Sequence, residues 1–62
     1  MALKEILSVV AGFQDLEVYC FDVDGSRLAW RFKANNVPLG MWERTVENLA
    51  SVNDVLYVRI NN

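Results

Sequence analysis

The feature that most constrains the fold is a turn sequence, Asp24-Gly25-Ser26, between two segments rich in aromatic and β-branched residues. These segments are residues 16–23 and 27–34. Glycine adopts the positive φ that tight hairpin turns require, and apolar alternation on both sides is typical of paired strands. The sequence therefore predicts an antiparallel β-hairpin.

A two-residue loop determines which side chains share a face of this hairpin. With Asp24-Gly25 as the loop, Tyr19 pairs with Trp30, and with Gly25-Ser26 as the loop, Phe21 pairs with Trp30. Both registers have the same parity, so we expect six apolar side chains to form the core face: Tyr19, Phe21, Val23, Leu28, Trp30 and Phe32. The opposite face would carry Leu16, Val18, Cys20, Asp22, Arg27, Ala29, Arg31 and Lys33.

Two further segments have apolar residues at helical spacing. The first is residues 2–11, with Gly12 as a stop signal, and the second is residues 39–50, following Pro38. The second stripe consists of Trp42, Val46, Leu49 and Ala50. A last strand is predicted over residues 55–60.

The predicted fold class is α+β, in the order α-β-β-α-β, as a single small domain over residues 1–62. A right-handed helical crossover makes the second and third strands parallel to each other. The first strand is apolar on both faces, as a central strand would be, so the expected sheet is three-stranded, mainly antiparallel and ordered 2-1-3. Both helices would pack on its aromatic face.

Composition narrows the function classes. The chain has 62 residues, no His, a single Cys and a net charge of -2. These counts exclude imidazole acid–base catalysis, Cys–His and Ser–His nucleophile pairs, and an intrachain disulfide. A domain this short buries only about 60% of its unfolded surface, so docking on a partner or forming a homodimer would help its stability.

The stretch Phe21-Asp22-Val23-Asp24-Gly25-Ser26 resembles the first motif of the haloacid-dehalogenase phosphatases. The resemblance implies Asp22 as nucleophile, Asp24 as general acid/base, and bound Mg²⁺. That family also needs a Lys and paired carboxylates downstream, and no Lys follows Lys33. We therefore expect a hairpin turn in which Asp22 pairs with Arg27, no enzymatic activity, and neither a metal nor a cofactor.

Four cations form the first candidate site: Arg27, Arg31, Lys33 and Arg59. They would lie on the helix-free face of the sheet, where they contact nucleic acid or another anion, or only protect an edge strand. Base stacking needs exposed aromatic rings, and in the predicted register only Tyr57 reaches this face. Nucleic-acid binding is therefore the alternative function.

Leu39, Met41 and Trp42 form the second candidate site. A surface Trp beside Met and Leu is typical of a protein-interface anchor, although in so short a chain these residues also suit the edge of the core. We expect a small acidic adaptor or inhibitor that docks on a larger protein partner. Phage and mobile-element proteins that block host factors are similar in size and charge. With no apolar segment long enough for a membrane span, the expected location is the cytoplasm.

Overall fold

A computed structural model describes all 62 residues as one four-stranded sheet with a short helix on one face. The elements are α1 (Leu3–Leu7), β1 (Asp15–Phe21), β2 (Arg27–Lys33), β3 (Val46–Val52) and β4 (Val55–Ile60). Two 3-10 turns, Ala34–Asn36 and Leu39–Met41, lie between β2 and β3. The sheet order is β2-β1-β4-β3.

The predicted three-stranded sheet with two helices is wrong, because residues 39–50 do not form a helix. They contain the Leu39–Met41 turn and most of β3. A bulge between Val46 and Asn48 shifts the register, so Val46 lies opposite Ile60 and Leu49 opposite Val58. Both lie on the face of the sheet that holds the core and α1, which we call the packed face. One inserted residue thus changes the period-two pattern of a strand into a step of three. That step has the same spacing as a helix.

The turn between β3 and β4 was also missed. Asn53 and Asp54 have φ angles of 51° and 66°, and they connect the paired residues Val52 and Val55 as a two-residue loop. Asn and Asp tolerate this left-handed region better than other residues with side chains, so they suit such hairpins. The Gln14 side chain donates a 2.7 Å hydrogen bond to the Asp54 carbonyl and holds this turn against the start of β1.

The extra strand also changes the direction of the last one. β4 lies beside β1, as expected, but the two strands are parallel, whereas β1–β2 and β3–β4 are antiparallel. The additional strand β3 adds a hairpin before β4, and this hairpin reverses the direction in which β4 runs. The sheet is therefore mixed rather than mainly antiparallel.

The helix α1 is shorter than the predicted helix over residues 2–11. The Glu5 carboxylate accepts the backbone N–H of Ala2 at its start, and the Ser8 hydroxyl donates to the Glu5 carbonyl at its end. Backbone hydrogen bonds from Leu3 to Arg44 and from Lys4 to Trp42, both 2.9 Å, attach it to the segment before β3. Its two buried side chains, Leu3 and Ile6, cover the sheet.

The β1–β2 hairpin has a three-residue loop, Val23-Asp24-Gly25, in place of either two-residue loop. The N–H of Asp22 donates to the Ser26 carbonyl at 2.8 Å, the N–H of Gly25 donates to the Asp22 carbonyl at 2.9 Å, and Gly25 has a φ of 87°. An odd loop length reverses the parity of the pairing. Trp30 consequently lies opposite Val18, and Phe21 lies opposite Arg27.

The predicted core face is therefore wrong, because none of its six members is among the nine core residues and Val23 is 98% exposed. Tyr19 and Phe21 lie on the other side of the sheet from Leu28, Trp30 and Phe32. The nine core residues are instead small or aliphatic: Leu3, Ile6, Leu16, Val18, Cys20, Ala34, Val37, Val58 and Ile60. Trp30 stays 38% exposed on the edge strand β2.

Candidate functional site

The side of the sheet opposite α1 is uncovered, and we call it the open face. The strand registers assign the following side chains to it: Asp15, Glu17, Tyr19 and Phe21 from β1; Arg27, Ala29, Arg31 and Lys33 from β2; Asn48, Ala50 and Val52 from β3; Val55, Tyr57 and Arg59 from β4. A sheet that covers one face with a helix normally exposes polar residues on the other. Three aromatic rings on the two central strands depart from that pattern.

Each of the three arginines lies over an aromatic ring of the open face. The guanidinium carbon of Arg27 is 4.4 Å from the ring centre of Tyr19, and that of Arg59 is 4.8 Å from Phe21. Arg31 lies 5.8 Å from the centre of the Tyr57 ring. Arginine is attracted to ring faces at such distances, and its planar group stacks on them. The cations and rings therefore form one continuous network.

A shallow groove crosses this network. It has a volume of about 390 Å³ and is lined by Tyr19, Phe21, Arg27, Ala50, Val52 and Tyr57. The rings of Tyr19 and Phe21 meet edge to face at 5.9 Å on its β1 side. Ala50 and Val52 form its other side on the edge strand β3. A groove of this volume accommodates an apolar side chain or an aromatic base.

Carboxylates neutralise most of the positive charge on the open face. Glu17 accepts hydrogen bonds from both Arg27 and Arg31, at 2.5 and 2.7 Å. Lys33 is 2.7 Å from Asp15, and Arg59 is 3.5 Å from Glu47 without a hydrogen bond. Three carboxylates thus lie beside the four cations of the open face, whereas the rest of the chain holds two cations and five carboxylates.

Glu17 is the central ion of this face, with a side chain only 14% exposed. The Arg27 guanidinium first, and that of Arg31 next, hold the pKa of this carboxyl below its ordinary value of 4.5. Glu17 in turn raises the pKa of Arg31. The charged form of Glu17 is therefore favoured in the folded protein, so the ion pairs also stabilise the fold.

Acid should weaken this contribution. Because the folded pKa of Glu17 is lowered, its stabilisation is complete above pH 4.5 and is lost as the pH falls through the folded value. We expect Glu17→Gln to flatten the decrease in the free energy of unfolding below pH 4.5, measured by urea denaturation at each pH. The double variant Arg27→Gln/Arg31→Gln, which keeps the carboxyl, should flatten it too. If both variants kept the wild-type dependence of the free energy of unfolding on pH, the ion pairs of Glu17 would not be the cause of the acid sensitivity.

The structure brings the four predicted cations together on the open face, and Tyr57 reaches it as the sequence suggested. Reasoning from sequence missed Tyr19 and Phe21, because both considered hairpin registers placed them in the core. The signal that could have identified them is the possibility of a three-residue loop containing glycine. The predicted pair between Asp22 and Arg27 is not formed, because Arg27 binds Glu17 instead.

The second predicted site divides between surface and core. Leu39 is 74% exposed, whereas Met41 packs against the core. Trp42 is 38% exposed, and its indole N–H donates a 3.0 Å hydrogen bond to the Val37 carbonyl. This bond joins two residues within the connection between β2 and β3.

The two aspartates of the phosphatase-like stretch have local structural roles. Asp22 accepts a 2.8 Å hydrogen bond from the N–H of Val23, and Asp24 accepts one of 2.9 Å from the N–H of Ser26. The Ser26 backbone N–H lowers the pKa of Asp24. No three His, Cys, Asp or Glu side chains are grouped to hold a metal ion.

Comparison of the chain with protein-family models, with curated proteins and with solved structures finds no match. The five residues of α1 are also far fewer than the about 20 that a membrane-spanning helix needs.

Proposed function

We propose that the protein is a non-enzymatic binding module that docks on a larger protein partner through its open face. The observation that carries the proposal is the exposed network of three arginines over three aromatic rings. Tyrosine, tryptophan and arginine dominate the residues that contribute most to protein–protein affinity. Here Tyr19, Phe21 and Tyr57 lie on the two central strands, in the middle of the face.

The network is ordered before any partner arrives. Glu17 and the rings beneath hold Arg27 and Arg31 in place. An immobilised long side chain costs about 0.5–1.5 kcal/mol at an interface, and a side chain that is already ordered avoids most of that cost. The arginine side chains of the open face can therefore contact a partner with little further loss of conformational entropy.

The groove defines the chemistry of the partner surface. Five of the six lining residues are hydrophobic, so the centre of the contact accepts an aliphatic or aromatic side chain. Around it, the free N–H groups of Arg27, Arg31 and Arg59 can donate to carbonyl or carboxylate oxygens. The matching surface is an apolar projection surrounded by hydrogen-bond acceptors.

Single-stranded nucleic acid is the second candidate ligand of the same face. The observation that favours it is the position of Tyr19, Phe21 and Tyr57 beside four cations, because such platforms combine base stacking with phosphate contacts. Phosphates would also meet Asp15, Glu17 and Glu47, which oppose their charge. For this reason the protein partner is favoured.

The test begins with capture of partners by a photo-crosslinking residue placed at Ala29 or, as a matched control, at Leu39. Ala29 lies on the open face and Leu39 on the other predicted site, and both are exposed. Lysate of the source organism is used with and without nuclease. We expect one protein to be captured from Ala29 regardless of nuclease.

The affinity of that partner is then measured for two single variants. Tyr57→Ala should weaken binding by about 2 kcal/mol, which is roughly a 30-fold rise in Kd, as expected for a central aromatic residue. Leu39→Ala should leave the Kd unchanged. The reverse pattern would place the interface at the second candidate site, Leu39, Met41 and Trp42, and would overturn the proposal.

Fluorescence anisotropy with mixed-sequence single-stranded oligonucleotides at low salt tests the second candidate. Tight binding that falls steeply with salt, and that is lost in the variant Arg27→Gln/Arg31→Gln/Lys33→Gln, would establish nucleic acid as the ligand. We expect no such binding.

A further inference from the structure

The two edges of the sheet differ in how they are protected. Proteins usually block exposed edge strands with charged residues, prolines or bulges, because free N–H and C=O groups pair with other strands. The β2 edge carries Arg27, Arg31 and Lys33. The β3 edge has a bulge at its start, after which residues 48–52 contain no charge and no proline.

This uncharged part of β3 is also exposed, and three of its five residues are apolar. Leu49 is 46% exposed on the packed face, and Val52 is 50% exposed on the open face. In an antiparallel strand the backbone groups of every second residue point away from the paired neighbour. Those of β3 point to solvent, since β4 occupies only one side.

We propose that the β3 edge pairs antiparallel with the β3 edge of a second copy of this chain, which joins two sheets into one of eight strands. The pairing is two-fold symmetric and centred on Ala50. Ala50 then lies opposite Ala50 of the partner subunit, and Leu49 lies opposite Ser51 of the partner subunit.

The chemistry of the segment favours a second copy as occupant. An antiparallel pair of identical segments is self-complementary by symmetry, as closed dimers require. Across this axis the small Ala50 side chains meet at the centre, and no charged residue of 48–52 faces a like charge. The same pairing of β2 edges would bring Arg and Lys side chains of both copies together, which is unfavourable.

The dimer would also extend the surface beside the groove of the open face. The inference of a dimer does not depend on the proposed function. Ala50 and Val52, which form the β3 side of the groove, lie on the strand that would be paired. A second copy would continue the sheet beyond them and enlarge the open face. A chain with nine buried residues would moreover gain apolar burial of Leu49.

The test compares Ala50→Lys with Ala29→Lys as its matched control. Both replace an exposed alanine of the open face by lysine, one on the β3 edge and the other on the β2 edge. Analytical ultracentrifugation of the full chain should show a concentration-dependent dimer for the wild type and for Ala29→Lys. For Ala50→Lys the dimer dissociation constant should rise by at least about tenfold, because two lysines meet on the axis.

Two further measurements distinguish lost pairing from lost folding. An equimolar mixture of Ala50→Lys and Ala50→Glu should recover the dimer, since opposite charges then meet. Amide hydrogen exchange of the wild type should slow with protein concentration in β3 and stay constant in β2. A wild type that remains monomeric at submillimolar concentration, or equal effects of the two lysine substitutions, would overturn the proposal. The proposal would also be overturned if the β3 amides were protected from hydrogen exchange only after a separate peptide strand was added.

Discussion

Leu16→Ala is expected to remove a large part of the protein's free energy of unfolding. Leu16 is fully buried on the central strand β1, between Phe32 of β2 and Leu56 of β4. Truncating a buried leucine costs about 2–5 kcal/mol, through lost transfer energy and the cavity that remains. At about 0.05–0.15 kcal/mol per residue, a chain of 62 residues has a total stability of roughly 3–9 kcal/mol. The loss is therefore roughly half of that stability. Urea denaturation followed by circular dichroism would show it as a strongly lowered midpoint.

Leu28→Ala provides the matched control. Leu28 lies on the same face of the sheet, opposite Cys20, but is 41% exposed at the edge. Since much of its side chain is already in water, the expected cost is about 1 kcal/mol or less. The structure places the core at β1 and not at the edge strand β2. Equal destabilisation by the two substitutions would contradict this placement.

Leu3→Ala is expected to have the second largest effect, about 2–5 kcal/mol. Leu3 is fully buried and, with Ile6, is one of only two buried side chains on α1. A sheet needs another layer over its apolar face, and here α1 supplies much of it. The sheet should therefore unfold together with the helix, in a single transition.

Far-ultraviolet circular dichroism and tryptophan fluorescence, recorded in the same urea titration, check this expectation. Coincident transitions at a lower midpoint are predicted for Leu3→Ala. Leu39→Ala, in which the replaced leucine is 74% exposed, should keep the wild-type midpoint. A sheet signal that persists after the Leu3→Ala helix has melted would show that the sheet is stable without its cover.

Features that depend on short stretches of chain could be predicted from the sequence. The hairpin around Gly25 and the strand at residues 55–60 follow from local composition, and both are present. The shared face of Arg27, Arg31 and Lys33 follows from alternation within one strand, which does not depend on the pairing partner. For this reason the cations of the open face were identified before its aromatic residues.

Features that depend on the relation between strands were decided by the tertiary structure. Tyr19 and Phe21 came to the open face because the hairpin closes with three residues rather than two, which reverses its parity. The segment around Val46 and Leu49 became a strand because a bulge, stabilised by pairing with β4, aligns residues three apart. Spacing alone could not distinguish this strand from a helix. The sequence by itself thus determined where single strands and charges lie, whereas long-range pairing determined which side chains share a face, because register is a property of two strands together.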